Sequence, residues 1–170
     1  MSLQQSSAHL RAAIGRTFLP SGAALSAALG IAIYFAEAMN AYLAIGVGSA
    51  LGGMARFWCS GLAARVIGET FPWGTLIVNV LGSLIIGFFS TLTGPDGRML
   101  VGSTARQFVM VGICGGYTTF SSFSLQTLNL INDGEWLQAG ANVVASVVLC
   151  LVAVWTGHVL AVALNAMKVA

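Results

Sequence analysis

The sequence predicts an all-α integral membrane protein with four membrane-crossing helices, the third of them broken. Three observations predict it. Apolar residues make up 57% of the 170-residue chain and charged residues only 7%, with a mean hydropathy of +0.88. A soluble domain carries about 25% charged residues, so this chain cannot cover its own surface with polar groups. Four apolar runs each reach the roughly 20 residues that a helical span requires. The third run contains Gly112-Ile113-Cys114-Gly115-Gly116-Tyr117-Thr118-Thr119-Phe120-Ser121-Ser122-Phe123-Ser124, and glycines packed that densely open a helix. An open backbone survives in hydrocarbon only where it is buried in protein or lines a polar path.

Residues 1–38 read as an N-terminal extension. Met1 to Arg16 is polar and basic, Phe18 to Ala36 is apolar with Pro20 near its start, and Ala36-Glu37-Ala38 resembles a small-residue cleavage site. A signal peptide, an extra apolar helix and translated sequence upstream of Met39 all fit. The last is favoured, because Met39 begins a chain of compact four-helix size. Residues 39–170 then form the four-helix domain, with spans expected at about Ala41–Val66, Trp73–Leu92, Gln107–Ile131 and Leu137–Leu164. The links carry the breakers and charges: Gly68-Glu69-Thr70-Phe71-Pro72, Thr93-Gly94-Pro95-Asp96-Gly97-Arg98 and Asn132-Asp133-Gly134-Glu135. Links this short force consecutive helices to lie antiparallel and adjacent.

Charge gives little orientation. If Phe18–Ala36 crosses the membrane, Arg11, Arg16 and Arg65 oppose Arg98, Arg106 and Lys168, three against three. Counted from Met39, Arg65 alone opposes the other three. Positive charge orients membrane proteins, so a weak bias suits a chain that inserts both ways and pairs with an inverted copy of itself. The formal charge of +2 is too small and scattered for a nucleic-acid partner. Cys59, Cys114 and Cys150 form no zinc or redox pattern and read as small buried hydrophobes. His9 and His158 lie too far apart in sequence to suggest a metal site. No Asp, Glu, Lys or His occupies the middle of a span, which argues against proton-coupled transport. No nucleophile–base pair can be assembled, so an enzyme is not expected.

The polar residues within the spans are the candidates for function. Arg56 in the first span must reach water, a carbonyl or an anion; it either ties helix ends together or draws anions into a vestibule. Gly48 and Gly52 form a GxxxG step suited to close packing. Asn79 shares a face of the second span with Thr75 and Ser83. Its amide either glues helices or replaces part of an ion's hydration shell. In the fourth span Asn142, Ser146 and Cys150 form a similar line. In the third, a half-helix starting near Thr119 would aim its positive amide end at the protein centre, and carbonyls just before it could hold a small cation. Hydroxyls of Thr118, Thr119, Ser121, Ser122 and Ser124 can satisfy backbone groups freed by a break. Phe120 and Phe123 share a face; their electropositive ring edges suit an anion path, although phenylalanines at this spacing are more often plain packing.

Three blocks together resemble the Fluc (CrcB) fluoride channels. They are Gly52-Gly53-Met54-Ala55-Arg56-Phe57, Gly74-Thr75-Leu76-Ile77-Val78-Asn79-Val80-Leu81-Gly82-Ser83 and the third-span run from Gly112 to Ser124. A fainter block runs from Asn142 through Ser146 to Val154-Trp155. The resemblance implies a passive fluoride-selective channel of the cell inner membrane that exports fluoride from the cytoplasm and lowers its toxicity. It implies an antiparallel, dual-topology homodimer with two fluoride paths. It also implies a structural sodium ion at the dimer centre, on main-chain carbonyls matching Gly115 and Thr118. Asn79, Phe120 and Phe123 match the pore residues; Ser121 and Ser122 would border the path, and Ser146 and Asn142 would contribute from the fourth helix. The 38 residues before Met39 and Cys150 depart from the family pattern. The rival reading is a small four-helix dual-topology multidrug exporter, which would need an acidic residue that Ala41–Val66 lacks. A membrane scaffold would leave the polar character of Gly115–Ser124 unexplained.

Overall fold

The computed structural model describes residues 22–167, all in helices and the links between them. The expectations on His9, Arg11, Arg16, Pro20 and Lys168 fall outside these residues. Contacts divide the chain into two units, Met1–Asn40 and Ala41–Ala170, which are taken separately. Of the first, residues 22–40 are helical and almost wholly exposed. They belong to helix α1, Gly22–Ile67. Ala36-Glu37-Ala38 lies within this helix, which begins well before the expected start of the first span near Ala41. Alanine, glutamate and methionine are strong helix formers, and between Gly30 and Gly46 the sequence has neither glycine nor proline to stop it.

In the second unit, α1 is followed by α2, Trp73–Leu92, with the bounds that hydropathy predicts. The third span begins at Ser103 rather than Gln107, because its first turn, Ser103-Thr104-Ala105-Arg106, is polar. It comprises α3 (Ser103–Gln107), a π-helical stretch (Phe108–Cys114), α4 (Gly115–Tyr117) and α5 (Phe120–Asn132). The last helix is α6, Trp136–Ala166. Among the described residues, four helical segments are long and apolar enough to cross a membrane, so the chain is a multi-pass membrane protein. Two of them end on glycines with positive φ, Gly68 after α1 and Gly134 after α5. At Gly134 the Glu135 N–H reaches the Leu130 carbonyl and the Gly134 N–H reaches Ile131, a Schellman closure that only a left-handed residue completes.

Small residues take many of the buried positions, and many large ones face outward. Ala63, Ala139, Ala153 and Ala161 are buried, whereas Phe57, Leu100 and Leu137 are exposed. Lipid tails are as apolar as leucine, so helices in a bilayer associate through close backbone approach instead. Two glycine seams provide it. Gly48 and Gly52 of α1 meet Gly112 and Gly116 of the third span; a methyl on Gly48 would lie 2.6 Å from the Phe108 carbonyl oxygen, and one on Gly116 would lie 2.6 Å from that of Ser49. Gly87 of α2 and Gly157 of α6 form the other, each packed against a backbone carbonyl of the facing helix. The link after α2 is tied to the end of α6: the Arg98 N–H donates to Asn165 Oδ1 at 2.9 Å and Asn165 Nδ2 donates to the Thr91 carbonyl at 3.4 Å. His158 is engaged there too, with Nδ1 2.8 Å from Thr91 Oγ1.

Candidate functional site

Helical bonding in the third span stops at Thr118, whose N–H still reaches the Cys114 carbonyl. Thr118 (ψ 157°) and Thr119 (φ −153°, ψ 112°) are extended, and helix resumes at Phe120. In a continuous helix the Thr119 N–H would return to the Gly115 carbonyl. Here it donates to Asn79 Oδ1 at 2.7 Å, while Asn79 Nδ2 donates to the Thr119 carbonyl at 3.1 Å. One carboxamide thus answers both backbone groups of Thr119. Its orientation follows from the pairing, since the flipped amide would set donor against donor. One Nδ2 hydrogen of Asn79 is left over.

Thr119 also caps α5: its Oγ1 accepts the Ser122 N–H at 3.2 Å and lies 3.0 Å from Ser122 Oγ and 3.2 Å from Ser121 Oγ. This satisfies an otherwise orphaned first-turn donor. It also fixes where the hydroxyls point. Ser121 and Ser122 turn to the cap, and neither lines the groove described next.

A groove of about 410 Å³ opens beside the interruption. Asn79 and Ser83 from α2, Gly115, Thr118 and Thr119 from the third span, and Ser146 and Cys150 from α6 line it together with both phenylalanines. The two rings sit 5.2 Å apart at 50°; Phe123 is 8% exposed and Phe120 77%. No Asp, Glu, Lys, Arg or His is among the lining residues. Gly82 makes the approach of α2 feasible, because any side chain there would collide with the Thr118 methyl. The sequence holds a signal for this in a glycine three residues after Asn79, although its partner is not readable from spacing.

The other candidates are placed as follows. Arg56 is half-buried and does not line the groove; its Nη1 lies 3.5 Å from the Thr118 carbonyl oxygen, tying α1 to the interruption. Asn142 is 1% exposed and lies behind the groove wall. Its Nδ2 donates to Thr127 Oγ1 at 2.8 Å, and its Oδ1 lies 3.5 Å from Ser146 Oγ. Thr127 went unnoticed in the sequence; its signal is a hydroxyl one turn beyond Phe123. Cys114 is buried, whereas Cys59 and Cys150 are only half-buried, and all three thiols are free.

The carbonyls of Gly115 and Thr118 fit the chemistry of a small hard cation. Both are neutral oxygens beside unwound backbone, the donor type that holds sodium in other membrane proteins. The Gly115 carbonyl has lost its usual helical donor to Asn79, and Gly115 is exposed.

Residues 43–158 match the family described as CrcB-like protein, Camphor Resistance (CrcB). The chain is 68% identical over 130 residues to the fluoride-specific ion channel FluC of Opitutus terrae, covering 76% of this chain and 98% of the relative. It is 63% identical over 127 residues to the protein of the same name from Methylocella silvestris, covering 75% and 97% of the two chains. With that from Rhodospirillum rubrum it shares 61% identity over 124 residues, 73% of this chain and 96% of the relative.

Proposed function

The chain belongs to the CrcB family, and from that premise we propose that it is a passive fluoride-selective channel of the inner membrane that exports fluoride and so lowers its toxicity. The observation that carries this reading is the character of the groove wall: hydroxyls, an amide and aromatic rings with no ionised side chain. Fluoride is small and tightly hydrated, and a path that strips its water must return hydrogen bonds as it does so. A fixed cation within a narrow wall would hold the ion instead of passing it. The remaining Nδ2 hydrogen of Asn79 and the ring edges of Phe120 and Phe123 are the donors assigned to the path, and Ser146, whose one proton goes to Asn142 Oδ1, borders it. Ser121 and Ser122 act by bonding to the Thr119 cap of the half-helix, and Arg56 by holding Thr118.

Two copies in opposite orientation form the working unit in this reading. Its support is the exposed flank of Gly115: a methyl there would meet only the Met110 carbonyl oxygen, at 3.8 Å. Nothing within the protomer requires glycine at that position, whereas Gly112 and Gly116 are required by α1. A second copy meeting the first at Gly115 supplies the reason. The Gly115 and Thr118 carbonyls of both copies would then hold a structural sodium ion, whose charge stabilises the paired backbones and favours an anion nearby. Residues 1–38 are read as an N-terminal extension to the four-helix domain.

Purified protein in liposomes tests the function directly. Fluoride is expected to leave fluoride-loaded vesicles while chloride is retained, and Phe123→Ile is expected to cut the fluoride rate about 100-fold while leaving assembly intact. Equal passage of both halides, or passage of neither, would defeat the reading.

A further inference from the structure

The half-helix α5 carries both aromatic rings, so whatever sets its rotation sets where those rings sit. Side chains from neighbouring helices pin it at two heights. Asn79 of α2 holds Thr119 at its start. Asn142 of α6 holds Thr127 eight residues later, about 12 Å along the axis. The first pin fixes the entry of the chain into α5 but leaves rotation about the axis free. The second removes that freedom.

The second pin is fully built. Thr127 Oγ1 donates to the Phe123 carbonyl at 2.8 Å and accepts from Asn142 Nδ2 at 2.8 Å. The residue whose ring enters the groove and the residue that is latched are therefore joined one turn apart on one face. Asn142 Oδ1 in turn lies 3.5 Å from Ser146 Oγ, and Ser146 lines the same groove. The chain of contacts runs from the Phe123 backbone through Thr127 and Asn142 to Ser146, whose hydroxyl donates to Asn142 Oδ1 and so helps to fix that amide. Turning α5 by a single residue swings Phe123 by about 100° and carries Thr127 away from Asn142. At 1% exposure Asn142 has no ready access to water to replace that partner, and an unmade bond on a buried amide is expensive.

We propose that Thr127 and Asn142 are positioning residues that lock the rotation of α5 and thereby hold the Phe123 ring on the fluoride path. Neither touches the ion. The inference rests on the channel reading above. The competing role is simple glue between α5 and α6, which would change how much channel assembles and leave each assembled channel unaltered.

Unitary fluoride current in planar bilayers separates the two roles, because it reports each channel rather than their number. Thr127→Val keeps the shape and removes the hydroxyl; it is expected to lower unitary current about tenfold, while Thr127→Ser stays within about twofold of the parent protein. The double variant Thr127→Val with Asn142→Leu removes both partners and leaves no unsatisfied amide, which restores assembly. It is expected to keep the low unitary current of Thr127→Val. Should Thr127→Val fail to assemble, the double variant decides alone. A parental current in either Val-containing protein overturns the proposal. Absence of fluoride current in the parent protein overturns the channel reading, and the positioning role falls with it.

Discussion

Helices α2 and α6 answer their own backbone hydrogen bonds and meet glycine to carbonyl, at Gly87 and Gly157. The third span is built the other way. Its glycines, Gly112 and Gly116, bring it equally close to α1, yet its backbone changes from α to π and then to two extended residues. The groups so freed are answered by a side chain of another helix. The difference shows how a bilayer protein makes a polar wall. The regular pair supplies a surface that cannot shift, and the irregular span exposes backbone and hydroxyls against it. A π-helical turn is weakly stable alone and tends to occur at functional places, so the rigid pair is what allows the irregular span to persist.

The comparison breaks most completely at the rigid pair. A Cβ on Gly157 would collide with the Leu84 carbonyl oxygen and lie 2.8 Å from the Phe88 nitrogen. Backbone cannot yield as a side-chain tip can, so Gly157→Val is expected to destabilise the protomer by about 3 kcal/mol or more. No folded protein should be recovered from detergent extracts run on a sizing column. A normal yield of folded protein would show that the α2–α6 seam is looser than its geometry states.

At the irregular span the same comparison predicts a folded protein that conducts poorly. Asn79→Asp keeps an oxygen to accept the Thr119 N–H but sets a second oxygen against the Thr119 carbonyl, where Asn79 now donates. The variant also places negative charge on the wall of the groove. Fluoride efflux is expected to fall about tenfold or more with helical content unchanged. Parental efflux would mean that the carboxamide is dispensable to both the backbone and the ion.

Much of the coarse architecture was legible because hydropathy and span length report it directly. Trp73–Leu92 could be delimited to the residue, since Pro72 stands at one end and Thr93-Gly94-Pro95 at the other. Partners across helices were harder to read. Local hydroxyls were expected to satisfy the backbone freed in the third span, and Thr118 and Ser124 do bond to carbonyls one turn back. The N–H and carbonyl of Thr119 are instead taken by Asn79, 40 residues away in sequence. Periodicity gives the face a residue occupies on its own helix but not which neighbour that face meets. For the same reason Asn142 and Ser146, which share a line on α6 and bond to each other, meet different neighbours: Ser146 lines the groove and Asn142 reaches Thr127. The run Ala36-Glu37-Ala38 lies inside α1, since the small residues that suit a cleavage site also suit a helix interior.

Gly115 sharpens the comparison with the smallest expected effect. If every glycine of the third span served packing within the protomer, a methyl at any of them would cost stability. At Gly112 it would lie 2.9 Å from the Gly48 Cα, and at Gly116 2.6 Å from the Ser49 carbonyl oxygen. At Gly115 it meets nothing closer than 3.8 Å, and alanine is favoured over glycine in a helix by about 1 kcal/mol. Gly115→Ala should therefore leave the protomer as stable as before or slightly more so. The cost should appear only where Gly115 faces outward: dissociation of the dimer, followed by fluorescence transfer between labelled copies as lipid is added, is expected to rise about threefold. A rise in protomer stability with no change in dissociation would remove Gly115 from the interface and, with it, the main structural support for two copies meeting at the third span.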